Sequence, residues 1–425
     1  MRQRSILVAN PGAIAEMHMM AAALASAGLL RKYIVSLAFS TAAVPGAVAH
    51  FLPPAVRRRI EIELRRRLVA QPITADDIQL SASGLECLYV LSQRIRPLRF
   101  AQPIFLGLRN AMLDQKVALR IRSDDGGLIT TYTAALRSLR RCRFLSVPSY
   151  LEYPIAHHRF AEAILRDEAA RQPAYAPTLQ FHRFSRELWA QLDAEVASAD
   201  KVLMLSTFHK RSFLESGVPE EKLTMIHLGV DLELFKPRPW PGRTAPFRVL
   251  FVGQITQRKG ISYLIRAFEQ ANLPDAELTL VGAICGSASP WVGTRAVRRK
   301  AQVPRWELPT VYAEADVYVL PSIVEGFPLT ALEAMASGLP VIVSEHTFGS
   351  DVITDGIDGY IVPIRDSEAI ADRLRYLYDH PSERHRIGAA ARRRAEHFSW
   401  KHYGQQVVDL VSRNTRSQPI AEVRS

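Results

Sequence analysis

Two glutamates, Glu325 and Glu333, stand with seven residues between them, and a lysine, Lys259, lies upstream between Arg258 and Gly260. Carboxylates accept hydrogen bonds from paired neutral donors, so sugar and ribose hydroxyls suit the glutamates. Lysine and arginine at the end of a strand can neutralise a diphosphate, which suits Arg258 and Lys259. Between the glutamates runs Gly326-Phe327-Pro328-Leu329-Thr330. Pro328 costs nothing in a first helical turn, whose N–H groups have no helical partner in any case. The amides of Leu329 and Thr330 then face an anion, and Gly326 lets a phosphate approach the backbone without meeting a side chain.

These residues need elements to hold them. Val317-Tyr318-Val319-Leu320 is apolar throughout and predicts a buried strand before the loop, and Gly338 is suited to closing the helix after it. On that helix Glu333 shares a face with Leu329 and Ala336, so its charge requires a partner. A second use of the same residues stays open: Thr330-Ala331-Leu332-Glu333 also fits a capping box, in which Glu333 returns a hydrogen bond to the helix start. Lys259 belongs to a loop, Gly253 to Gly260, between an apolar strand at Phe247–Val252 and a helix from Ile261 to Gln270. For Arg258 the competing reading is plain surface charge.

The whole pattern, Glu-Gly-Phe-Pro-Leu with a second Glu eight positions after the first, closing in Ala-Ser-Gly-Leu-Pro-Val-Ile, resembles the Glu-x7-Glu signature of retaining, nucleotide-sugar-dependent glycosyltransferases of family four, the glycosyl transferases group 1. Gly229-Val230-Asp231, followed by Phe235-Lys236-Pro237, is typical of the same enzymes. The resemblance is dense in the second half of the chain and scattered in the first. It implies an α/β fold of the GT-B type, two Rossmann-like doubly wound domains facing each other across a cleft. It further implies that Glu325 holds the donor sugar and Glu333 the ribose, with Gly253, Arg258, Lys259, Val303, Gly326, Phe327, Leu329 and Thr330 completing the donor site. The family places a cation just after the first loop glycine, where this chain has Gln254, so Arg258 or another arginine is expected to supply that charge. In the family a first-domain histidine often lies near the transferred sugar. His157 and His158, in a loop after a strand, are the candidates, against the reading of a histidine that only starts a helix.

At 425 residues, with 48% hydrophobic and 23% charged residues, the chain has room for two domains. The prolines 237, 239, 241 and 246 mark a linker. The expected division is 1–236 for the acceptor-side domain, 237–246 for the linker, 247–397 for the nucleotide-sugar domain, and 398–425 for a terminal helix that, by the resemblance, returns to the first domain. Three distant cysteines suggest a reducing compartment, and no cofactor, zinc spacing or Asp-x-Asp pair for a metal is expected. The first apolar run is too short for a signal peptide, which points to the cytoplasm.

The net charge of +12 asks for an anionic partner. Nucleic acid is disfavoured, because neither zinc-finger spacing nor an aromatic-rich RNA-binding signature occurs. A basic amphipathic helix is expected from Ala55 to Val69, and an anionic lipid surface on the inner face of the membrane is one candidate partner for it. Spacing of Arg57, Glu61 and Arg65 for mutual pairing argues the other way. The function expected is transfer of a sugar from a nucleotide diphosphate sugar to a glycan or lipid-linked acceptor, without a metal. The alternatives are a nucleotide-sugar epimerase of the same architecture and a non-catalytic nucleotide-sugar or polyanion-binding protein.

Overall fold

A computed structural model of the protein describes residues 5–40, 54–179, 185–239, 246–286 and 297–416. It contains two parallel sheets, as expected of two doubly wound α/β domains. The first has seven strands: β1 (Ile6–Asn10), β2 (Leu30–Val35), β3 (Ile78–Leu80), β4 (Gly127–Thr131), β5 (Ser149–Glu152), β6 (Lys201–Met204) and β7 (Leu223–Met225), in the order β3-β2-β1-β4-β5-β6-β7. The second has six: β8 (Phe247–Val252), β9 (Ala276–Val281), β10 (Val297–Lys300), β11 (Val317–Leu320), β12 (Val341–Ser344) and β13 (Tyr360–Val362), in the order β10-β9-β8-β11-β12-β13. All recorded strand pairs are parallel; Val8, for example, aligns with Tyr33 on one side and Ile129 on the other.

Helices cover both faces of such sheets, so the central strands are apolar along their whole length rather than alternating. β1, β11 and β12 are buried at every residue. The edge strand β10 is Val-Arg-Arg-Lys and mostly exposed, and its cations discourage pairing with another chain. In each sheet the strand order reverses beside the first strand, at β1/β4 and at β8/β11, which opens a crevice at the carboxyl ends of the strands.

The two sheets are joined by contacts along the loops that face one another. Thr256 Oγ1 donates to the Thr178 carbonyl at 2.6 Å, and Ser206 Oγ to the Gly326 carbonyl at 2.8 Å. Glu168, fully buried in the first domain, accepts from Gln257 Nε2 at 2.8 Å and Arg365 Nε at 2.6 Å, both from the second. The last helix, Trp400–Arg416, packs on Ala15–Ser26 of the first domain so closely that a Cβ on Gly404 would lie 2.7 Å from that of Ala23. Of the expected linker, 240–245 lie outside the described residues, as does the 417–425 tail.

The basic helix is shorter than its periodicity suggests. It spans Pro54–Arg65, because beyond it the chain turns extended and Leu68 bridges to Phe39. Arg67 is buried, paired with Glu63 and Glu86, and Arg58 reaches Glu307 of the second domain at 2.7 Å. Arg58 on the helix and Arg67 just past its end therefore hold the protein together rather than await a ligand.

Candidate active site

The candidate site is built by tying two loops together. Gly260 adopts φ +72°, and a Cβ there would stand 2.0 Å from the Pro321 carbonyl oxygen, so only glycine permits this approach. The Ile323 amide donates to the Arg258 carbonyl at 2.8 Å. With the loop after β8 fixed against the end of β11, Lys259 Nζ meets Glu325 Oε2. Arg258 Nη1 reaches the same oxygen at 3.4 Å and the Val324 carbonyl at 2.9 Å. Arg258 is buried, which removes the reading of surface charge and puts a second cation beside Lys259. Gln254 is exposed, and Gly253 half-buried above the Phe251 ring.

Burial raises the Glu325 pKa, but the charges of Lys259 and Arg258 and the Lys259 hydrogen bond outweigh it, and the carboxyl is held below its usual range. Lys259 shifts the other way. Burial lowers its pKa, Glu325 opposes this, and the Arg258 charge adds to it.

Helix Leu329–Ala336 begins one residue later than expected, with Pro328 as its cap. Ala331 and Leu332 are the first to donate back, both to the Pro328 carbonyl, so the Leu329 and Thr330 amides stand ahead of the hydrogen-bonded turns. At the other end Gly338 has φ +79°, the Leu339 amide reaches Ala334 and the Gly338 amide Met335, a Schellman closure.

Glu333 is not part of a capping box. Its carboxylate accepts from Tyr312 Oη at 3.1 Å and Arg305 Nε at 3.2 Å, while Thr330 Oγ1 bonds Tyr318 Oη at 2.8 Å. Burial dominates and lifts the Glu333 pKa to about 7, against the opposing pull of Arg305 and Tyr312. Arg305 and Tyr312 were not singled out from sequence. The one signal was their place just downstream of Val303, which is itself half-buried against the core.

Two expectations need correction. Gly326 does leave room for a close approach, but what approaches is the Pro154 carbonyl of the first domain, 2.1 Å from where a Cβ would be. Phe327 turns its ring inward, onto Phe348 with centroids 4.8 Å apart, and offers only backbone.

The histidines are likewise inside the first domain. His157 caps helix His158–Arg171, its ring accepting from the Arg159 amide, and burial followed by the neighbouring His158 drives its pKa down to about 3. His158 is held between Tyr153 Oη at 3.1 Å and Asp193 at 3.0 Å. Among the described residues neither ring contacts Glu325, and the helix-start reading describes His157. His157, His158 and Asp193 place ligand-type atoms within 4.8 Å of one another, yet Arg159 already neutralises Asp193, and burial lowers both histidine pKa values, so the group is one ion pair with neutral rings hydrogen-bonded around it. At the acceptor side the strand ends instead present Glu152, whose pKa burial and then Glu16 raise to about 8, and Asn10, which shapes its loop by bonding Gly12 through both amide atoms. A carboxylate ending a buried strand was the legible signal for Glu152.

Known proteins resemble this chain in sequence and fold. Residues 235–394 match the family described as Glycosyl transferases group 1. A D-inositol 3-phosphate glycosyltransferase of Kribbella flavida is 27% identical over 87% of this chain and 99% of its own length. An MMP alpha-(1->4)-mannosyltransferase of Mycolicibacterium hassiacum is 32% identical over 54% of this chain and 56% of its own. Among solved structures, sucrose-phosphate synthase from Thermosynechococcus elongatus superposes with a TM-score of 0.62 at 19% identity, covering 98% of this chain and all of the other. HepE of Anabaena, solved with UDP-glucose, gives 0.62 at 16% identity over 97% of this chain and 100% of its own.

Proposed function

With residues 235–394 matching glycosyl transferases group 1 and a GT-B fold as the premise, we propose that the protein is a retaining hexosyltransferase that moves a sugar from a nucleotide diphosphate sugar to a glycan or lipid-linked acceptor. The observation that carries the reading is the contact of Lys259 with Glu325, in front of the Leu329 and Thr330 amides. Without donor, the cation and the carboxylate satisfy each other. When donor enters, Lys259 turns to the diphosphate, with Arg258 in place of the cation that Gln254 lacks, and Glu325 is released to accept the sugar hydroxyls. Glu333 accepts the ribose hydroxyls.

In the reaction the bond between the anomeric carbon and the diphosphate oxygen breaks, and the acceptor oxygen bonds to that carbon on the same face. The acceptor proton passes to the departing phosphate. Lys259 and the helix amides stabilise the charge that develops there, which needs no metal ligand set. No enzyme nucleophile is assigned. Among the described residues no helix is long and apolar enough to cross a membrane. We place the protein in the cytoplasm, peripheral on the inner face of the membrane.

The test replaces Glu325 or Lys259 by alanine and follows both sugar transfer and donor hydrolysis. Loss of one preorganised group of this kind costs about 100-fold to 1,000-fold in rate. Undiminished activity in both variants would sink the assignment, and conversion of donor alone into a new sugar would point to the epimerase.

A further inference from the structure

Residues 83–120 form two helices, Ser83–Arg94 and Gln102–Arg120, whose amphipathic sense is inverted. On the first, Glu86 and Ser92 are buried while Leu88, Leu91 and Ile95 are exposed. On the second, Arg109, Asn110 and Asp114 face inward, and Ile104, Leu108, Met112 and Leu119 face out. The spacing of four, four and seven places these last four within one stripe of the helix. Phe100, in the turn between the helices, is 78% exposed, Ile104 57% and Leu108 53%.

The inversion is built rather than accidental. Glu86 accepts from Arg67 and from Arg109 Nη1, and Asp114 accepts the amides of Arg137 and Ser138 at 2.7 and 2.8 Å. Polar side chains thus share the internal packing with Leu113 and Val117, and Ile104, Leu108, Met112 and Leu119 are left as an outer apolar stripe, which a soluble surface does not normally carry. Both acidic residues of the stretch are buried; Arg94 is paired with Glu63 and Lys116 with the Ser81 carbonyl, so the exposed Arg99 and Arg120 carry the positive charge of this apolar face.

We infer that this face docks on an anionic lipid bilayer, its apolar stripe at the acyl boundary and its cations on the headgroups. This rests on the peripheral placement proposed above but moves it from the Pro54–Arg65 helix to a different surface. The geometry also gives the docking a purpose. Asn110 bonds Thr133, and Asp114 caps the start of the following helix, both just past the carboxyl end of β4. The last residue of helix Gln102–Arg120 meets Arg31 at the start of β2 while Asn110 meets Thr133 beyond the end of β4, so the turns before Asn110, with Ile104 and Leu108, lie toward the carboxyl ends of the strands. A bilayer held there presents a lipid-carried acceptor at the cleft mouth.

The experiment is flotation of the full chain with vesicles of phosphatidylcholine alone and with phosphatidylglycerol added. Flotation is expected with the anionic vesicles only, and I104S/L108S should lower it at least about tenfold, since two apolar side chains leave the lipid. Phe144→Ser, equally exposed but on another helix, should float as the native chain does. Because the altered residues are at the surface, melting temperature and donor hydrolysis in solution should be unchanged. Flotation that ignores lipid charge, or survives in I104S/L108S, overturns the docking face. A dimer abolished by the same pair, with no flotation, overturns it in favour of a second copy of this chain. Donor hydrolysis intact in either case leaves the transferase reading standing, and its absence in the native chain counts against that reading instead.

Discussion

At the scale of single residues, the charged groups of the proposed donor site were visible in the sequence, but their partners were not. Glu325 and Lys259 sit in loops whose glycines and prolines announce them, and Glu333 follows on the short helix between Pro328 and Gly338. Tyr312 and Arg305, which hold Glu333, lie in an ordinary helix and turn, and nothing in their local pattern says that they face a carboxylate. Those partners leave Glu333 poised near neutrality, with a pKa of about 7. A carboxylate binds ribose hydroxyls through acceptors that its protonated form partly loses. Affinity for nucleoside diphosphate should therefore rise as pH goes from 6 to 8, by up to about tenfold if only the ionised form binds, and Glu333→Gln should give weaker, flat binding across that range. For folding the sign is reversed. A carboxyl whose pKa is raised in the folded state favours folding below its ordinary pKa, and that contribution falls as pH climbs to about 7. Calorimetric titration of both proteins at three pH values separates the outcomes.

At the scale of elements, strands were the most legible, because a parallel strand covered on both faces is apolar without interruption. Helices that hide polar groups were not. Residues 83–120 bury Glu86, Arg109 and Asp114 and expose leucines, and a reading that sends apolar residues inward cannot place them. The basic helix misled for a related reason, since Arg67 belongs to that buried network. The join between the Gly253 to Gly260 loop and β11 rests on a single conformation. Gly260→Ala must pay for φ +72° and for a Cβ 2.0 Å from the Pro321 oxygen, so the loop has to shift. We expect a loss of roughly 1–3 kcal/mol in unfolding free energy, read by denaturant titration, together with weaker nucleotide binding as the shifted loop carries Lys259 away from the diphosphate position.

At the scale of the whole molecule, the two domains were foreseeable from the linker and the repeated strand-loop-helix plan, while their mutual contacts were not. Sequence gives no hint that Glu168 is buried between Gln257 and Arg365, or that Gly326 lies against Pro154. Those contacts join the loops after the strands of the first sheet to the loops that carry Arg258, Lys259 and Glu325. The central claim is that the second domain grips a diphosphate through Lys259 and the Leu329–Thr330 amides. It is tested most directly by measuring equilibrium binding of nucleoside diphosphates and monophosphates to the native chain and to Lys259→Ala. The account predicts that the native chain prefers the diphosphate and that Lys259→Ala loses most of this preference while remaining folded. Equal affinity for the two nucleotides in the native chain, or an unchanged preference in the variant, would contradict it.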